Sequence, residues 1–322
     1  MPDFYCIINP ASDRWRSGRR WETEVEPALK ARHVSYEVVY TTGPGHAMHL
    51  AEEAARSGRY GAVVSGGGDG TLNEVANGLC RAAGEGVTLP LGIFPIGSGN
   101  DFATVLQIPK DPEGMVANLV AGHRRWVDVG EVESPDMMGP VHPRRFFMNN
   151  SGVGFEAQVN LESRRVQRLR GFLIYLVGVF RALKNYKQPW VRARWDDGMW
   201  EGEMLLITVG NGRRAGGGFW LTPFAEVDDG LLDVGIARAL SRWGILRLLP
   251  KAIKGGHVDD PAFSLRRTRQ LHLELGHPTP VHTDGEAIIE ATRRVDYRVW
   301  PQKVTVISDP HRPLASPKKA SG

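Results

Sequence analysis

The chain gathers glycine and acid in one short stretch whose spacing could serve phosphate chemistry. Gly66-Gly67-Gly68-Asp69-Gly70-Thr71 follows the apolar run Ala62-Val63-Val64 and precedes Leu72, Val75, Ala76 and Leu79 at helical spacing. This order predicts a strand buried on both faces, a glycine turn and a helix. Thr71 and Glu74 have the Thr-x-x-Glu form of a capping box. The glycines are expected to take positive φ and to leave N–H groups unobstructed at a helix N-terminus, which suits an anion. No Lys-Ser/Thr pair follows them as a P-loop requires, and Gly66-x-Gly68-x-Gly70 is not the dinucleotide spacing. Asp69 would repel a phosphate unless it binds the phosphate's metal or accepts a proton. A solvated acid in a tight turn is the plain alternative.

The elements that must position this stretch alternate. Strands are predicted at Phe4 to Asn9, Ser35 to Tyr40 and Leu91 to Pro95, with helices at Trp21 to Ala31, Ala47 to Arg56 and Glu113 to Ala121. The segment ASDRWRSGRRW reads as a polar loop, and Gly97 to Phe102 as a second loop of small and polar residues. Such alternation gives an α/β domain with a parallel sheet, whose ligands sit at the carboxyl ends of the strands. Beyond residue 128 the pattern changes to consecutive strands, at Trp126 to Val132, Arg145 to Asn149, Val191 to Trp195, Glu203 to Val209, Leu232 to Ile236, Leu271 to Leu275 and Val304 to Ile307. That predicts a C-terminal antiparallel β-sandwich. The domains are expected at 1–127 and 128–315, the last segment able to return to the first domain, with 316–322 a disordered tail. Helical segments at Phe155 to Leu183, carrying RRVQRLR and GFLIYLVGVF, and at Arg242 to Lys254 are either core helices or lipid-facing ones.

Composition narrows the class. At 322 residues, 42% hydrophobic and 24% charged, this is an ordinary globular chain. Its net charge of +4 is mild and lies largely in arginine doublets, which allows an anionic membrane surface or nucleotide phosphate as partner. No basic stripe interleaved with aromatics points to nucleic acid. Cys6 and Cys80 suggest no disulfide framework, so a reducing, cytoplasmic compartment is expected. No signal peptide is read at the N-terminus, and the longest apolar run, Gly171 to Phe180, is short of the roughly 20 residues that span a bilayer.

Taken in order, the motifs resemble those of the diacylglycerol kinase and sphingosine kinase family of soluble lipid kinases, in a bacterial form. They are Asn9-Pro10, Thr41-x-x-x-Gly45-His46-Ala47, Gly66 to Glu74, Gly97-Ser98-Gly99-Asn100-Asp101-Phe102-Ala103, Asp128-Val129-Gly130, Asn149 to Phe155, Gly216-Gly217-Gly218, Pro223 to Val234 and Asp284-Gly285-Glu286. The Gly-Gly-Asp-Gly element is shared with NAD kinases and phosphofructokinases. The resemblance implies an NAD kinase/phosphofructokinase-like α/β domain, a β-sandwich, an active site in the cleft between them, and transfer of the γ-phosphoryl of ATP, with Mg²⁺, to a lipid hydroxyl. Diacylglycerol or a related lipid alcohol is the implied substrate, at the inner membrane face, and a homodimer is allowed.

Carried over residue by residue, the resemblance gives Asn9, Thr41, Gly66, Gly67, Gly68, Asp69, Gly70, Thr71, Ser98 and Asn100 to the nucleotide. It gives Asp69, Asp101 and Asp128 to the catalytic Mg²⁺, and Asp229 with the carbonyls of Glu226 and Leu231 to a separate structural Mg²⁺. Glu286 is the implied base, with Asp284 beside it and Asp69 as the alternative base. Gln158 stands where sphingosine kinases carry a head-binding Asp, which lowers a sphingoid amine against a neutral lipid alcohol. Plainer readings stand beside these: Asp101 as an N-cap with Asn100, Asp128 as a strand-end acid, and Asp228-Asp229-Gly230 as a type I turn. An NAD kinase-like enzyme for a soluble substrate and a non-catalytic lipid-binding regulator are the alternative functions.

Overall fold

The computed structural model describes residues 3–137, 144–165 and 172–317. Two compact units divide the chain, one of residues 1–128 and 301–315, the other of 129–300 and 316–322.

In the first unit the chain runs β1 (Phe4–Ile8), α1 (Ser12–Arg20), a π-helical stretch Trp21–Val25, α2 (Glu26–Ala31), β2 (Tyr36–Tyr40), α3 (His46–Ser57), β3 (Ala62–Gly67), α4 (Asp69–Ala83), β4 (Leu91–Pro95), α5 (Asp101–Val105) and α6 (Pro112–Ala121). β1 pairs in parallel with β2 and β3, and β3 in parallel with β4. The spatial order is therefore β4-β3-β1-β2. Chain direction across the sheet reverses between β1 and β3, which makes the crevice at their carboxyl ends the topological switch point. Trp21, Val25 and Leu29 pack with Cys6, Ile8, Val64 and Phe94 in the core. Both cysteines are buried and neither is in a disulfide.

The polar segment read as a loop after β1 is helical instead. Ser17 is buried and donates its hydroxyl to the Ile96 carbonyl (2.8 Å), while Arg20 pairs with Glu24 one turn on. Tertiary partners outweigh the weak local signal here. Asp13, Arg14 and Trp15 nevertheless keep left-handed φ within it.

The capping box is a second correction. α4 starts at Asp69 with Gly68 as N-cap and no side-chain cap. Glu74 reaches across to the neighbouring helix, accepting N–H bonds from Gly45 (2.8 Å) and Ala47 (3.1 Å) at the start of α3. A carboxylate there satisfies orphan donors and complements the helix dipole.

The second unit is built on β5 (Arg124–Glu133), which begins in the first unit, then β6 (Arg144–Phe147), β7 (Asn150–Gly154), α7 (Phe155–Arg164), α8 (Phe172–Asn185), β8 (Trp190–Trp195), β9 (Gly198–Gly210), β10 (Leu232–Arg238), α9 (Arg242–Lys254), β11 (Phe263–Thr268), β12 (Gln270–Thr283) and β13 (Glu286–Ile307). Pairing within this unit is antiparallel: β10 with β9 and β11, β12 with β13, and β7 and β8 each with both β9 and β12. β13 ends in the first unit, where Val306 pairs in parallel with Leu91.

Phe147, Val153, Ile207, Val234, Leu273, Val281 and Tyr297 belong to this unit's main core. A separate cluster joins Phe155 and Val159 of α7, Val179 and Leu183 of α8, and Ile245 of α9 to Leu205 and Phe263. The 155–183 segment is thus two helices, and both it and 242–254 bury one face. The last five residues of RRVQRLR, at 166–170, lie outside the described residues with residue 171, as does 318–322 of the terminal segment. Ser316, before it, accepts a hydrogen bond from Arg213 (2.8 Å). The sequence reading omitted β7 and β11, and saw only the last four residues of β13.

Two stability tests arise from this packing. Glu74→Ala is expected to lower stability by about 1 kcal/mol through the lost α3 cap, read as a fall in melting temperature; an unchanged value would show the cap to be idle. Asp233 on β10 is buried, and desolvation, with Glu226 adding and Arg213 opposing, pushes its carboxyl up to about 7. A carboxyl raised above its unfolded value stabilises most below the unfolded pKa and loses that contribution as pH rises through about 7. Asp233→Asn should therefore gain melting temperature relative to wild type as pH rises from about 4 to about 7 and keep that advantage above it, and a pH-independent difference would refute it.

Candidate active site

At the switch-point crevice the predicted nucleotide residues are joined by hydrogen bonds. Asn9 follows β1; its N–H donates to the Gly66 carbonyl (2.9 Å), and its Nδ2 to Thr71 Oγ1 (3.0 Å). Thr41, at the end of β2, donates its N–H to the Ile8 carbonyl (2.9 Å). Gly97 N–H donates to Gly67 O (2.8 Å) and Asp69 N–H to Gly99 O (3.0 Å), so the loops after β3 and β4 are stitched together. Asn100 Nδ2 closes its own loop on Gly97 O (2.7 Å). Ser98 is exposed at its tip.

The glycines work differently from the expectation. None of Gly66, Gly67, Gly68 and Gly70 has positive φ. What they supply is proximity. A Cβ on Gly68 would stand 2.8 Å from Gly99 O, and one on Gly97 would stand 2.4 Å from Gly68 N. The amides of Gly97 and Asp69 are spent on loop-to-loop bonds, not left for an anion.

Asp69 is the hinge of this arrangement. Its Oδ2 accepts the Asp101 N–H (3.0 Å) and its Oδ1 the Phe102 N–H (3.3 Å), at the first turn of α5. Asp101 is buried beside it. Asp128 is buried on β5 and accepts the Gln302 N–H (2.6 Å). Among the described residues no group of three or more His, Cys, Asp or Glu is arranged to hold a metal ion. Asp69, Asp101 and Asp128 thus form no ready protein cage.

The second unit carries the other predicted residues. Asp284, at φ 45°, has its carboxylate accepting three amides, those of Met148 (2.8 Å), Asn149 (2.9 Å) and Asn150 (2.9 Å). That saturation makes it an anchor for the turn before Glu286. Glu286 is a third exposed and lies 3.3 Å from Arg145 Nη2. In the 226–231 segment, Asp229 accepts the Leu231 N–H (3.0 Å) and is paired with Arg267, while Glu226 meets Arg213 (2.6 Å). Both acids there face arginine.

Within this unit lies an apolar cavity with a volume of about 110 Å³. Phe155, Val159, Val179, Leu205, Ile245 and Leu248 wall it, and Glu156, Asn160, His282 and Gly285 also line it. Gln158 is not in its lining; the amide points to Glu162 (3.5 Å). Sequence reasoning missed Arg145, Glu156, Asn160 and His282. The i, i+4 spacing of Glu156 and Asn160 on one face of α7 is the signal that could have found two of them.

Comparison with known proteins shows the family. Residues 3–132 match the model of the diacylglycerol kinase catalytic domain, and residues 150–308 that of the YegS C-terminal NAD kinase beta sandwich-like domain. A Pseudomonas aeruginosa protein named "Probable lipid kinase YegS-like" is 35% identical over 298 residues, 91% of each chain. A protein of the same name from Chromohalobacter salexigens is 33% identical over 287 residues, 88% of this chain and 86% of its own. The crystal structure of a diacylglycerol kinase from Bacillus anthracis superposes with a TM-score of 0.69 at 21% identity, covering 96% of this chain and 97% of that one, a likeness of fold. A shared diacylglycerol kinase catalytic domain, followed by a YegS-type β-sandwich and matched almost end to end by YegS-like relatives, places this chain in the YegS/diacylglycerol kinase family of lipid kinases.

Proposed function

We propose that the chain is an ATP- and Mg²⁺-dependent kinase that phosphorylates the hydroxyl of a lipid alcohol, diacylglycerol or a relative. The observation that carries this is the apolar cavity of the second unit, whose walls suit an acyl chain. Support on the nucleotide side comes from the switch-point crevice, where Asn9, Thr41, Thr71 and Asp69 border two interlocked loops. Phosphoryl transfer asks for positioning and charge neutralisation more than covalent help, so a Walker lysine is dispensable.

Mg²⁺ keeps several waters and commonly binds through one or two carboxylates plus phosphate oxygens. The absence of a three-acid cage among the described residues fits that mode. Asp69, whose carboxylate accepts the Asp101 and Phe102 amides, is the first candidate to hold the ion through water. Asp101 and Asp128 are the further candidates. When bound, the ion would neutralise charge developing on the transferred phosphoryl group. Glu286 takes the hydroxyl proton, and Arg145 orients its carboxylate.

Membrane association belongs to the same proposal. No helix among the described residues is long and apolar enough to cross a bilayer. Two helices instead expose aromatic side chains beside bases: Trp243 is 82% exposed on α9 with Arg242 and Arg247 near it, and Phe180 is 56% exposed on α8 before Arg181. Aromatic and basic residues of this kind suit an anionic interface.

Incubating the protein with labelled ATP, Mg²⁺ and lipids in mixed micelles, with NAD in parallel, tests the activity. Label is expected in a lipid alcohol and not in NAD; label in no lipid would sink the proposal. Asp69→Asn and Glu286→Gln should each lower kcat by roughly 10²-fold or more, with melting temperature checked alongside. Wild-type rates in both would remove these residues from the chemistry. In sedimentation with phosphatidylglycerol vesicles, Trp243→Glu and Phe180→Glu are expected to reduce the bound fraction several-fold, and undiminished binding would exclude this face.

A further inference from the structure

The cavity of the second unit is apolar except at one place, and the polar groups there are incompletely satisfied. Glu156 Oε1 accepts from Asn150 Nδ2 (2.8 Å) and lies 2.9 Å from His282 Nε2, without hydrogen-bond alignment to that ring. Among the described residues, Glu156 Oε2 has no hydrogen-bond partner. Asn160 gives its Nδ2 to the Gly285 carbonyl, but among the same residues its Oδ1 is unpartnered, and so is His282 Nδ1. These side chains are almost wholly buried, at 4% exposure for His282, 6% for Asn160 and 14% for Glu156. All three residues line the cavity.

The backbone makes room for this cluster. A Cβ on Gly152 would stand 2.5 Å from His282 Nε2 and 2.6 Å from the Glu156 carboxyl carbon. Any other residue at 152 would push the acid and the imidazole out of place. A cavity that only held a hydrocarbon chain would gain from apolar residues at all three positions, because buried polar atoms without partners are costly. Their retention indicates a ligand that completes them.

We propose that Glu156, Asn160 and His282 form a head-group receptor selecting lipid alcohols that carry a second hydrogen-bond donor besides the hydroxyl that is phosphorylated. Two of the open positions, Glu156 Oε2 and Asn160 Oδ1, are acceptors only, so the complementary head must donate. A long-chain diol meets this requirement; diacylglycerol, with one hydroxyl and ester oxygens that only accept, does not, so the receptor points to a relative of diacylglycerol that bears a second donor. A lipid with one hydroxyl must give that hydroxyl either to the receptor or to the base Glu286, and loses a contact in either case. The inference rests on the reading of this cavity as the lipid site.

The test compares 1-monooleoylglycerol with the oleoyl ester of ethylene glycol, which has the same chain and one hydroxyl fewer. Wild type is expected to prefer the diol by about 10-fold or more in kcat/KM, the scale of discrimination set by an unpaired buried polar group. Glu156→Gln and Asn160→Leu should each shrink that preference to about 3-fold or less, mainly through KM, with the melting temperature reporting on folding. Displacement of a fluorescent fatty-acid probe by the same two lipids, without ATP, measures the preference apart from turnover. Equal displacement by both lipids, displacement by neither, or a preference that survives both substitutions would overturn the receptor. Preferential displacement by the diol with no label transferred would instead overturn the phosphoryl-transfer reading and leave the receptor standing.

Discussion

The strand-end loops of the first unit depend on one carboxylate. Asp69 begins α4 and holds the first two amides of α5, so two loops leaving adjacent parallel strands become a single rigid piece. Charge-assisted hydrogen bonds of this kind contribute roughly 1.5–3 kcal/mol each, enough to order a helix of only five residues. The glycines around it serve the same end. Backbone meets backbone between Gly68 and Gly97, leaving no space for a side chain. Asn9 and Thr71 then extend the piece to β1 across the switch point.

The second unit repeats this device with Asp284. Three consecutive amides at the junction of β6 and β7 converge on its carboxylate. The turn it occupies carries Gly285 to the cavity lining and Glu286 to Arg145. In each unit an acid that the motif reading would assign to chemistry is first an anchor of backbone. The Asp284 carboxylate takes three amides, whereas Asp69 takes two at a partly exposed edge.

Much of the first unit was legible because its signals are local. Short β-branched runs such as Ala62-Val63-Val64 and the apolar strand Leu91 to Pro95 lie between turns, and their strands stand where pattern puts them. The segment after β1 was not, since Ser17 and Arg20 are held by partners distant in sequence. Thr71 and Glu74 fit a local rule but are claimed by Asn9 and by α3. β7 escaped notice because NSGVG has neither bulk nor alternation; its small residues leave room for His282 and Glu156. β13 was hidden by charged residues on its exposed side, although Ile289, Val295 and Tyr297 are buried. The cavity could not be read at all, because its walls come from α7, α8, α9 and β9.

The two halves of the chemistry are provided for in opposite ways. Around Asp69 the backbone groups are mutually satisfied before any nucleotide arrives, which suits a site whose task is to hold phosphate and metal in fixed positions. Around Glu156 acceptors are left open in an apolar surrounding, where each is worth more than it would be in water. Rigidity without selectivity is sufficient for a nucleotide whose identity is constant. Selectivity must then reside with the groups that remain unpaired until a ligand supplies their donors, and in this chain those groups line the cavity of the second unit.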